Sequence, residues 1–106
     1  MFVRKVTLQL KPNVRAEFTR LMEKEIIPTL RKQKGFKDEM TFLGLDGKDA
    51  FALSIWETKE SAENYVREVY PTVLKTLTNQ LENTPQVHVY ELINSTPHML
   101  AVGAAA

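Results

Sequence analysis

The sequence predicts one small α+β domain whose strands and helices follow the order β-α-β-β-α-β around a four-stranded antiparallel sheet. Three observations carry that expectation. The first residues alternate as a strand does, Asp46-Gly47 separates two further alternating runs, and apolar residues recur at helical spacing before and after that pair.

The opening strand runs from Phe2 to Leu10, with Phe2, Val6, Leu8 and Leu10 on one side and Val3, Lys5, Thr7 and Gln9 on the other. Only Arg4 breaks the apolar side. Lys11-Pro12-Asn13 punctuates the chain, and Asn13 is expected to cap the helix that follows. In that helix Val14, Phe18, Leu21, Met22, Ile26 and Leu30 recur every three or four residues, so one face is apolar. Pro28 cannot donate to the carbonyl four residues back, which predicts a kink near Lys24 or a break before Leu30. Gly35 is placed to end the segment in a left-handed conformation, with Phe36 folding back on the core.

Asp46-Gly47 reads as a two-residue turn between strands at Lys37–Leu45 and Lys48–Glu57. Its register sets Phe42 opposite Phe51 and Met40 opposite Leu53, an apolar pair of rows expected to meet the helices. The reverse face then holds Glu39, Thr41, Leu43, Ala52, Ser54 and Trp56. Thr58 is a candidate cap for a second helical region that Pro71 divides, giving helices over Lys59–Tyr70 and Pro71–Leu81. Gln86–Ile93 reads as the last strand, with its parity open because Val87, Val89 and Ile93 compete with Tyr90 and Leu92 for the core. The domain thus covers residues 1–93. A tail over 94–106 remains, expected either to contact a partner subunit or, in its closing alanines, to be foreign to the fold.

Bulk properties narrow the function classes. At 106 residues, with 43% hydrophobic and 25% charged content, the chain suits one globular domain, and one small enough that association is expected. Fourteen basic residues against 13 acidic ones, interspersed along the chain, give a net charge of +1 and no stripe for nucleic acid. The absence of cysteine removes disulfides, thiolate nucleophiles and cysteine-based metal sites. No glycine-rich phosphate loop, serine nucleophile elbow or clustered carboxylates stand in the sequence, so neither a metal nor a bound cofactor is expected. The chain lacks a run of roughly 20 apolar residues for a membrane, and its start carries charges inside an alternating pattern rather than ahead of an apolar one. A cytoplasmic location is the expectation. Asn94-Ser95-Thr96 matches a glycosylation acceptor, which carries no weight without an export signal.

Ile27-Pro28-Thr29-Leu30-Arg31-Lys32-Gln33 followed by Gly35-Phe36, then Ile55-Trp56-Glu57-Thr58-Lys59-Glu60-Ser61-Ala62 with Tyr65 one turn later, resembles the antibiotic-biosynthesis-monooxygenase type of dimeric α+β barrel. The resemblance spans roughly Phe2 to Leu92. It implies a ferredoxin-like fold whose sheets pair face to face in a homodimer. A reverse face carrying Val3, Leu43, Ala52 and Trp56, too apolar to meet water alone, implies the same.

On that face the sequence brings together Lys5, Thr7, Glu39, Thr41, Ser54 and Trp56, polar handles beside an aromatic wall, with Tyr65 of the second helical region a further candidate for substrate contact. They read equally as a wet subunit interface. In the resembling monooxygenases a tryptophan at the place of Trp56 borders the substrate cavity; a packing anchor is the plainer role. Lys5 on a strand's inward side needs a counter-charge, which Glu39 is placed to give. His88 and Tyr90 are the candidate proton acceptors, if their strand turns them inward. Heme-degrading relatives carry a tryptophan and an axial histidine where Tyr65 and Lys75 fall here, and a lysine ammonium is a poor substitute for imidazole on iron. His98 reads as solvated.

The resemblance implies a cofactor-independent monooxygenase acting on a quinol or polyphenol-like aromatic, with Lys5 stabilising the substrate anion. The alternative is a dimeric barrel that binds a small apolar or aromatic ligand without turnover.

Overall fold

The computed structural model describes residues 1–96. The tail from Pro97, with His98 and the closing alanines, lies outside them. Strand β1 (Phe2–Gln9) leads to helix α1 (Arg15–Leu21), a π-helical turn over Met22–Ile26, and α2 (Ile27–Arg31). Strands β2 (Phe36–Leu43) and β3 (Asp49–Trp56) form the hairpin, followed by α3 (Lys59–Glu68), α4 (Tyr70–Leu77), a short 3₁₀ turn at Thr78–Gln80, and β4 (Gln86–Glu91). The strands make one antiparallel sheet in the order β2-β3-β1-β4, the ferredoxin-like arrangement.

Asn13 does not cap α1. It takes a left-handed φ of 62°, which asparagine tolerates, and Val14 stands at the cap with no side-chain hydrogen bond. The irregularity expected from Pro28 is the π-helical turn: Ile27 donates to the Met22 carbonyl, five residues back, and the helix then resumes through Pro28 without a break. Gly35 has φ +83°, and a Cβ there would stand 2.2 Å from Ser61 Oγ, so both conformation and space call for glycine. Thr58 caps α3 by accepting from Ser61 N at 3.1 Å. Val69, with φ −124° and ψ −40°, separates α3 from α4 just ahead of Pro71.

The hairpin keeps the predicted register, with Phe42 opposite Phe51 and Met40 opposite Leu53, but over a longer turn. Pairing ends at Leu43 and resumes at Asp49. Gly47 donates to the Gly44 carbonyl at 2.9 Å, and the Asp46 carboxylate accepts from the backbone of Lys48 and Asp49 at 2.8 and 3.2 Å. Those amides hold the Asp46 carboxyl below its usual pKa.

The assignment of the two faces is reversed from expectation for the hairpin. Phe2, Arg4, Val6 and Leu8 of β1 share a face with Trp56, Ser54, Ala52 and Ala50 of β3 and with Thr41 and Glu39 of β2, and the helices cover this face. The small residues of β3 let α3 and α4 approach the sheet, and Trp56 fills the end of the layer with no exposed surface. The bulkier rows of Met40, Phe42, Phe51 and Leu53 lie on the opposite, helix-free face with Val3, Lys5 and Thr7. There Phe42 and Phe51 stack at 4.7 Å, yet Phe42 stays 43% exposed. No helix among the described residues is long and apolar enough to cross a membrane.

Candidate functional site

The register divides the predicted site residues into two groups. Glu39, Thr41, Ser54 and Trp56 lie on the helix-covered face, where Tyr65 of α3 joins them. Lys5, Thr7, His88 and Tyr90 lie on the open face, because β4 pairs His88 with Lys5 and Tyr90 with Val3. The parity of the last strand is thereby fixed, with Val87 and Val89 on the helix side. The predicted convergence of Lys5 with Glu39, Ser54 and Trp56 is therefore corrected. The alternation of β1 puts Lys5 through the sheet from all three, and its ammonium lies over the Phe51 ring at 4.8 Å instead of beside a carboxylate.

On the helix-covered side a cavity of about 50 Å³ opens between sheet and helices. Its floor is Arg4, Ser54, Ala52 and Val6; its roof is Tyr65 and Tyr70 with the apolar face of α4. Met22 and Ile26, the two ends of the π-helical turn, close one side, so the widened turn at Pro28 shapes the wall. Trp56 is not part of the lining. It backs the cavity: its ring stacks on Tyr65 at 4.9 Å, meets Phe36 edge-on at 5.6 Å, and donates from Nε1 to Ser54 Oγ at 2.9 Å. Because Ser54 Oγ accepts that bond, its own hydrogen is free to donate.

Two polar lining residues, Arg4 and Tyr70, escaped the sequence reading. Arg4 is only 4% exposed, with its guanidinium 4.5 Å from the centre of the Tyr70 ring and 5.5 Å from that of Tyr65. The signal for it was present, since Arg4 was the one charge inside an apolar row. Tyr70 stands at the break between α3 and α4, where spacing alone does not say which way a ring turns.

Burial pushes the Tyr65 hydroxyl up to about 12, although Arg4 pulls the other way. Its folded pKa exceeds the usual 10, so the folded state favours the neutral phenol. Stability is unaffected below pH 10 and declines as pH rises from 10 towards 12, by about 2–3 kcal/mol at the limit. Tyr65→Phe should remove this part of the alkaline loss in denaturation curves; an equal loss in both proteins would refute the assignment. Burial likewise raises the Glu39 carboxyl, partly offset by the Thr41 hydroxyl donating to it at 2.6 Å.

Among the described residues no group of three His, Cys, Asp or Glu side chains is placed to hold a metal. Lys75, at the place of a heme ligand in the resembling proteins, is exposed on α4 and does not line the cavity.

The sheet order and the helices that cover one face define an α+β protein of ferredoxin-like fold. Solved structures agree. The chain is similar to the ActVA-Orf6 monooxygenase of Streptomyces coelicolor, solved with nanaomycin D, at 17% identity and TM-score 0.76, over 90% of this chain and 89% of that one. It is similar to SnoaB, a cofactor-independent oxygenase of Streptomyces nogalater, at 12% identity and TM-score 0.75, over 92% and 97% of the two chains. A Deinococcus radiodurans protein assigned to the antibiotic biosynthesis monooxygenases aligns at 14% identity and TM-score 0.74, over 93% and 99%. These likenesses establish the fold. No protein-family model and no curated protein matches the sequence.

Proposed function

We propose that the chain is a cytoplasmic, cofactor-independent monooxygenase acting on a phenol- or quinol-type aromatic held in the cavity between sheet and helices. The observation that carries this reading is the cavity itself, walled by apolar side chains and two tyrosine rings, with a cation and a hydroxyl on its floor. In the reaction a phenolic ring and O₂ give a quinone and water: one oxygen atom bonds to a ring carbon, the other leaves as water. The substrate supplies all four electrons. The protein's part is to exclude water and to favour the substrate anion.

At about 50 Å³ the cavity is smaller than the roughly 150 Å³ that admits benzene, so substrate entry must enlarge it. The wall placed to yield is α4, joined to α3 through the non-helical Val69. Lys5, His88 and Tyr90 lie on the open face and do not line that cavity, so the catalytic roles expected of them are not carried into this reading. That face carries Phe42, Phe51 and Leu53, with Tyr90 50% exposed, and we assign it to pairing with a second copy in a homodimer.

Oxygen consumption with a panel of hydroquinones and polyphenols should exceed autoxidation for at least one. Ala52→Leu, which fills the cavity floor, should cut that rate at least tenfold while leaving the fold intact. Uptake no faster than autoxidation across the panel would sink the enzymatic reading. The second reading, ligand binding without turnover, is favoured by one observation: among the described residues no carboxylate or histidine lines the cavity to act as a base.

A further inference from the structure

Arg4 is 4% exposed and has no anion among the described residues, yet its guanidinium is not sealed off, since the one fully buried side-chain polar atom without a partner among those residues is Gln80 Oε1. The Arg4 guanidinium offers five donors, yet among the described residues it makes no ion pair and no side-chain hydrogen bond. Glu39, on the same sheet face, stands two strands away beyond Ser54, with its carboxylate accepting from Thr41. Glu63 shares an outer groove with Arg4 but is exposed on α3 and does not pair with it. Val89, its neighbour on β4, is apolar. The two tyrosine faces offset part of the cost of burying the charge, and each supplies much less than a carboxylate would.

Beside Arg4 in the register is Ser54, whose hydroxyl hydrogen is left free by the Trp56 bond. From these positions the geometry points to an anion subsite: Arg4 and Ser54 bind one anionic oxygen of a flat apolar ligand that lies beneath Tyr65 and Tyr70. The ligand is thus a phenolate or an aromatic carboxylate, bound with its charge on the sheet floor and its ring against the apolar wall. This deepens the reading of the cavity as a ligand site and rests on it. A clamp that merely holds the two tyrosines would require the same contacts but would not change how a bound ligand ionises.

The probe is 4-nitrophenol, whose coloured phenolate reports its own ionisation, with nitrobenzene as the uncharged control and benzoate as the carboxylate arm. On the wild-type protein the apparent pKa of bound 4-nitrophenol should fall by about one unit or more, since a close cation favours the anion. Benzoate should compete for the same site if carboxylates are accepted, and its failure to compete would restrict the ligand class to phenolates. In Arg4→Met the shift should vanish or reverse while nitrobenzene still binds, and Arg4→Lys should restore part of it. Thermal melts check that each variant is folded; should Arg4→Met unfold, the wild-type shift decides. Nitrobenzene binding together with an unshifted or raised pKa for bound 4-nitrophenol would overturn the anion subsite and leave the cavity reading standing. Binding of none of the three probes, or binding unaffected by Ala52→Leu, would overturn both.

Discussion

Trp56→Ala should be the most destabilising single substitution in the helix-covered layer, costing about 3–5 kcal/mol in denaturant unfolding. The ring has no exposed surface, stacks on Tyr65, meets Phe36 edge-on and satisfies its N–H on Ser54. Removal leaves a cavity behind Tyr65 and frees Ser54 Oγ from its donor. A domain of this size has roughly 5–15 kcal/mol of stability in total, so the variant should sit near unfolding at body temperature. Trp56→Phe keeps most of the packing and loses the hydrogen bond, and should cost much less. A loss under about 1 kcal/mol for the alanine variant would show that the layer does not depend on this ring.

The second large effect concerns assembly. Phe51→Lys, on the open face, should convert the proposed dimer into a monomer by light scattering at micromolar concentration. The residue lies where Phe42 stacks and where the Lys5 ammonium rests, at the centre of the apolar rows. A two-fold interface meets each substitution twice, so two uncompensated charges at about 3 kcal/mol each weaken association by about four decades. A variant that assembles like the wild type would place the interface elsewhere.

Much of the fold was legible because it rests on local rules. The Phe42–Phe51 register followed from the Asp-Gly turn even though the turn itself is wider, and Pro28, Gly35, Thr58 and Pro71 each marked a real feature of the backbone. The faces were less legible. The rule that the oilier side of a hairpin meets the helices failed because β3 presents Ala50, Ala52 and Ser54 to them, while the Phe and Leu row is turned to a surface the helices leave bare. The candidate site suffered from that single inversion. Glu39, Thr41, Ser54, Trp56 and Tyr65 were grouped on chemistry and do share one side, whereas Lys5 and Thr7 were linked to them across a sheet they cannot cross. Tyr70 and the π-turn residues Met22 and Ile26 depended on three-dimensional packing that spacing does not encode.

The alternation of β1 also bears on what a single substitution can reach. Odd-numbered positions from Val3 to Gln9 belong to the bare side and even-numbered ones from Phe2 to Leu8 to the cavity side, so a point mutation lands in one compartment or the other. Under the proposed function, substitutions at positions 4, 6, 52 and 54 alter the ligand cavity, while the positions between them face the opposite surface. The four-strand sheet thereby partitions the effects of substitution between the cavity and the bare face.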